Sequence, residues 1–75
     1  MKVTAKVSNN HLRIHLDGVL HVSIDADEIV GVVSYKSCGY FHIDYYCGAS
    51  TIETTYKHED TWIAVLKELE KVNII

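Results

Sequence analysis

Residues 37–48, SCGYFHIDYYCG, hold two cysteines, a histidine, an aspartate and three tyrosines. Side chains of these types can bind a metal, form a nucleophile–base pair, or line an aromatic binding surface, and spacing decides among them. Read as a strand rising about 3.3 Å per residue, the stretch separates Cys38 from Cys47 by roughly 30 Å, which excludes a disulfide or a shared zinc ion within one chain. Cys38 and His42 stand roughly 13 Å apart, too far for a thiol to be activated directly by the imidazole. His42 and Asp44 share a strand face at about 6–7 Å, close enough for an aspartate to orient a histidine, but no local nucleophile completes the set. The pattern therefore predicts a core face of Phe41, Ile43, Tyr45 and Cys47. The opposite face, Tyr40, His42, Asp44 and Tyr46, is left for solvent or an interface.

A second concentration of histidines lies in HLRIHLDGVLHVSI. Asp17-Gly18 usually makes a two-residue hairpin turn, yet that turn alone pairs Ile14 with His21 and mixes apolar with polar faces. A three-residue loop, Leu16-Asp17-Gly18 with a bulge, pairs Ile14 with Leu20 and Leu12 with Val22, and face consistency selects it. His11, Arg13, His15, His21 and Ser23 then share the outer face. His11 and His15 are roughly 13 Å apart, so at most two histidines could meet at one ion, and no metal site is expected. Asp25 and Asp27 lack the twelve-residue span, central glycine and final glutamate of a calcium loop. With Glu28 they suit a capped single turn.

The elements that position these residues are mostly strands. KVTAKVS alternates, and TIETTY is rich in strand formers. IVGVVSY is apolar at both parities, with Ile29, Val33 and Tyr35 on one face and Val30 and Val32 on the other, so it calls for cover on both sides. From Glu59 the period changes. Trp62, Val65, Leu66, Leu69 and Val72 form one helical stripe, and Asn73 is a suitable stop. The predicted architecture is α+β: residues 1–75 as a single domain, an antiparallel sheet of about five strands connected by hairpins, and one C-terminal α-helix packed on one face.

The chain has 48% hydrophobic and 23% charged residues with a net charge of −3. That balance provides no field for nucleic acid or an anionic membrane, and Lys2, Lys6, Arg13 and Lys36 are too scattered to help the tyrosines bind single strands. Without an apolar leader or a run of about 18 apolar residues, a soluble cytoplasmic protein with reduced cysteines is expected. No nucleophile elbow, P-loop, HExxH or CxxC is present, so neither an enzyme nor a cofactor is expected.

One helix covers one sheet face, and the residues offered to the other face are apolar or aromatic. The function expected from this is a non-enzymatic protein-binding module, homodimerising through Tyr40, His42, Asp44, Tyr46, Val30 and Val32. A competing arrangement curls the sheet so that the N-terminal hairpin folds over the core. In strand order and in its ADEI turn the chain resembles small bacterial and phage sheet-plus-helix proteins, although no motif names a family. A phage-encoded inhibitor of a host defence protein is accordingly the alternative. A histidine-dependent hydrolase or metal-binding protein using His42 and Asp44 is the further one.

Overall fold

In the computed structural model, which describes all of residues 1–75, short turns divide the chain into six strands and one helix. These are β1 (Val3–Ser8), β2 (His11–Leu16), β3 (Val19–Asp25), β4 (Ile29–Ser37), β5 (Tyr40–Cys47), β6 (Ser50–Tyr56) and α1 (Glu59–Lys71), with a single 3-10 turn at Ala26–Glu28 before β4. Three of the hairpin turns have both central residues at positive φ: Asn9 and Asn10 (52° and 61°), Asp17 and Gly18 (49° and 81°), and Cys38 and Gly39 (52° and 80°). This is the turn geometry whose twist matches that of paired strands, and Asn, Asp and Gly adopt it readily. Cys38 does not, and its left-handed backbone costs about 1–2 kcal/mol.

The β2–β3 hairpin corrects the predicted three-residue loop. Leu16 pairs with Val19 and His15 with Leu20 across a two-residue Asp17-Gly18 turn, after which the register shifts so that Ile14 pairs with Val22 and Leu12 with Ile24. Restoring apolar parity takes one extra residue. The strand absorbs it at His21, as a bulge, and leaves the favourable Asp-Gly turn intact.

The strands form two three-stranded antiparallel sheets, β1-β2-β3 and β4-β5-β6, in place of the expected single sheet of about five. The division occurs at the 3-10 turn. The Asp25 carboxylate accepts the Asp27 N–H at 3.0 Å, and the Ala26 N–H donates to the Asn10 carbonyl at 2.7 Å, diverting the chain before Ile29. A single sheet with one helix would leave an apolar face in water, whereas two sheets can turn their apolar faces toward one core. That core combines Leu12, Ile14, Val22 and Ile24 with Ile43, Tyr45, Cys47 and Tyr56, and with Val65 and Leu69 of the helix. The competing arrangement is thus realised in substance, since the N-terminal strands do cover the core.

The helix packs mainly along β1 and also meets β5 and β6, completing the core that both sheets share. The Trp62 indole N–H donates to the His42 carbonyl at 3.0 Å, tying α1 to β5. At the other end Asn73 is left-handed (φ 60°). Its N–H donates to Glu70 O at 3.1 Å and the Ile74 N–H donates to Leu69 O at 2.9 Å. This is the paired bonding that ends a helix when the flanking apolar residues also touch; Leu69 belongs to the core cluster and Ile74 packs against it.

Two polar groups inside this packing have measurable consequences. The Tyr45 hydroxyl is fully buried and has no hydrogen-bond partner, and burial pushes its ionisation well above the usual range. An unsatisfied buried hydroxyl costs about 1–3 kcal/mol. Tyr45→Phe is therefore expected to raise unfolding free energy by about 1 kcal/mol, read as a higher urea midpoint at unchanged m-value; a lower midpoint would show that the hydroxyl is bonded.

His21 Nε2 and the Tyr56 hydroxyl share a hydrogen bond of 2.9 Å that joins edge strands of different sheets. Partial burial lowers the imidazole pKa below 6.5, so the unfolded chain binds the proton more readily. Stability then rises with pH through the window below 6.5 and levels off above it. Urea titrations between pH 5 and 7.5 should show this slope, and His21→Gln should flatten it; an equal slope in the variant would assign the effect to another group.

Candidate functional site

β5 is the central strand of the second sheet, and its alternation separates core from surface. On the outer face, the pairing sets Tyr46 between Gly31 and Thr51, Asp44 between Val33 and Glu53, and His42 between Tyr35 and Thr55, with Tyr40 opposite Ser37. Tyr40, His42, Asp44 and Tyr46 thus share one face. Val32 does not join them: it pairs with Tyr45 and packs against the core. Val30 lies in a bulge between Ile29 and Gly31 and is 77% exposed. Their places beside β5 are taken by Val33 and Tyr35. β4 pairs only with β5, so the strand expected to need cover on both sides is instead a sheet edge.

The residues of this face are organised around Tyr35. Its ring stacks on His42, with centroids 4.7 Å apart and planes 15° from parallel, and its hydroxyl donates to Asp44 Oδ2 at 3.0 Å. That hydrogen bond, followed by loss of water and the negative charges of Asp44 and Glu53, raises the Tyr35 ionisation above its usual 10, so the phenol stays a donor. His42 Nδ1 and the Thr55 hydroxyl lie 3.3 Å apart. Asp44 therefore orients Tyr35, not His42, and the Asp–His pairing considered from the sequence is not made.

Asp44 is only 7% exposed, and its Oδ1 has no hydrogen-bond partner. Its neighbour across the ladder, Glu53, adds a second carboxylate. Neither is in an ion pair, because those of the molecule join Lys36 to Glu59 and Lys71 to Glu68. Like charges directly opposite on a sheet oppose folding.

The other chemical candidates disperse. Of the expected patch, His11, Arg13, His15 and Ser23 do share one face, with His11 Nε2 2.7 Å from the Ser23 hydroxyl, but the bulge turns His21 away to Tyr56. No group of three or more His, Cys, Asp or Glu side chains converges as a metal site would require. Cys47 is buried and Cys38 exposed, at opposite ends of β5. The surface depression of the molecule is lined by Lys67, Glu70 and Lys71, on the helix, so the tyrosine face is open. An open face of this kind suits a macromolecular partner better than an enclosed small substrate.

No family model, curated protein or solved structure matches the chain. No helix is long and apolar enough to cross a membrane.

A carboxylate held this way is costly, since a buried acceptor without a partner loses about 1–3 kcal/mol and the charge beside Glu53 adds to the loss. Asp44→Asn keeps an oxygen for Tyr35 and removes the charge. It is expected to unfold at higher urea, by about 1 kcal/mol, with unchanged circular dichroism; destabilisation by a similar amount would mean that Oδ1 is satisfied.

Proposed function

We propose that the chain is a non-enzymatic protein-binding module acting through the outer face of the β4–β5–β6 sheet. The observation that carries this reading is the gathering of Val33, Tyr35, Tyr40 and Tyr46 on that one face, each 40–45% exposed. Contiguous apolar and aromatic surface of this kind marks interaction sites, and tyrosine contributes large contact area at low entropic cost.

The partner is a different protein in the first reading. The accessible surface of 4807 Å² is close to the roughly 4,700 Å² of a compact monomer of this mass, so the fold is closed without a second copy. Face-to-face pairing about a two-fold axis would also bring Asp44 and Glu53 toward their own copies, a repulsion within a desolvated interface. An inhibitor that occupies another protein's surface is one protein of this type. Self-pairing is the second reading, favoured by the same tyrosine and valine patch.

A photo-crosslinking residue at position 40 tests both. Heterologous adducts in the native cell are expected, weakened about 30-fold in apparent affinity by Tyr46→Asp, the loss of a central aromatic contact. They should persist with Arg13→Glu on the other sheet. Adducts at twice 8.5 kDa would assign self-pairing instead, and adducts indifferent to Tyr46→Asp would remove this face from the function.

A further inference from the structure

We infer that the centre of this face is a socket for a cationic side chain of the partner, an arginine, seated over Asp44 and Glu53 and flanked by Tyr35 and Tyr46; the inference rests on the reading of the face as a protein-binding surface. Two independent features meet there. The first is the Asp44–Glu53 pair, set directly opposite one another in the ladder with no cation of the chain placed against either. The second is the unpartnered Oδ1 of a side chain more than nine-tenths buried. A native protein seldom leaves such an acceptor empty unless something else fills it.

The geometry selects an organic cation over a metal ion. Two carboxylates without a further converging ligand leave a divalent ion short of oxygen donors. Guanidinium has different needs. It presents a planar fork of N–H donors, which two carboxylates on neighbouring strands, with Cβ atoms about 4.5–5.5 Å apart, can accept together. Its faces stack on aromatic rings, which Tyr35 and Tyr46 supply, whereas a compact ammonium group uses neither feature as well.

Asp44 is already stripped of water in the free protein, so an incoming cation gains a charge-assisted hydrogen bond without desolvating that carboxylate anew. Oδ1 itself has essentially no accessible surface in the free protein, so seating the cation requires side chains of this face to move, and Tyr46, on the same face, is 41% exposed. Side chains of that kind change rotamer within nanoseconds and commonly do so on binding. Tyr35 need not move, because its bond to Oδ2 at 3.0 Å leaves Oδ1 as the unpartnered oxygen.

The probe is acetyl-arginine amide, titrated into the intact 15N-labelled chain, with acetyl-citrulline amide as the neutral shape control. Saturable shifts centred on Val33, Asp44 and Glu53 are expected, with a dissociation constant on the order of millimolar. Citrulline, Asp44→Asn and Glu53→Gln should each weaken binding at least about tenfold, and added salt should weaken it progressively. Glu53 is exposed, so its variant keeps the test valid even if Asp44→Asn alters the fold. Equal shifts with arginine and citrulline, or titrations unchanged by both substitutions, would overturn the socket. The wider reading fails separately: arginine binding of the expected kind with no Tyr46-dependent protein adduct supports the socket and removes the protein-binding face. A captured partner indifferent to Asp44→Asn and Glu53→Gln does the reverse.

Discussion

The structure depends on the contact between two small sheets, neither of which could fold alone. A sheet with one apolar face gains stability when that face is covered, and here the two sheets and the helix bury their apolar faces in one cluster. Leu12, Ile14, Val22 and Ile24 meet Ile43, Tyr45, Cys47 and Tyr56, with Val65 and Leu69 completing the same cluster. Because each inner face is used up in this contact, whatever the chain does with other molecules must be done by outer faces, edges and the helix surface. The outer face of β4–β5–β6 inherits its composition from this constraint. On β5, Ile43, Tyr45 and Cys47 are committed to the core, and alternation delivers Tyr40, His42, Asp44 and Tyr46 to the surface.

Much of this was legible in the residues. The strand-forming segments and the helix stripe are visible in residue types and periodicity, although that pattern predicts about five strands where six form, and Asn73 does end α1. The division into two sheets was not visible, because alternation tells which side of a strand is apolar and is silent on which other strands lie across the core. β4 was misplaced for a local reason that the chain does contain. A two-residue turn at Cys38-Gly39 sets Ser37 opposite Tyr40, and counting back puts Val33 and Tyr35, not Val30 and Val32, beside Asp44 and His42. Cysteine is an uncommon residue for a left-handed turn position, which hid the signal. At Asp17-Gly18 the turn was recognisable, but the parity conflict it created has two solutions. The strand chose the bulge at His21, which carried that histidine off the outer face and into contact with Tyr56.

Two buried oxygens lack partners, Tyr45 Oη and Asp44 Oδ1, and they differ in kind. Tyr45 belongs to the core cluster, where its ring fills volume. The hydroxyl is the cost of using a large aromatic residue where phenylalanine would pack as well. Asp44 lies on the outer face among exposed residues, at a strand centre where a β-branched apolar side chain would be the stable choice. Polar groups placed against the local physical preference concentrate where a protein binds or reacts, because stability is given up there in return for function. Asp44, unlike Tyr45, is therefore the residue on which the proposed binding role is placed.

The distribution of charge points the same way. On the first sheet, Lys6 pairs with Arg13 while Asp25 pairs with His11 on the same face, so its outer face carries charges of both signs. On the second, Asp44 pairs with Glu53, and its outer face is acidic and aromatic. Within the net charge of −3, the second outer face is thus the one on which two carboxylates stand directly opposite each other. If this face binds a partner as proposed, a basic surface would be drawn to the second sheet by long-range electrostatics before any side chain touches. On that proposal the tyrosines would supply contact area and the paired carboxylates selectivity. A partner with no cation to offer would leave two desolvated charges facing each other, a penalty that apolar contact alone does not offset.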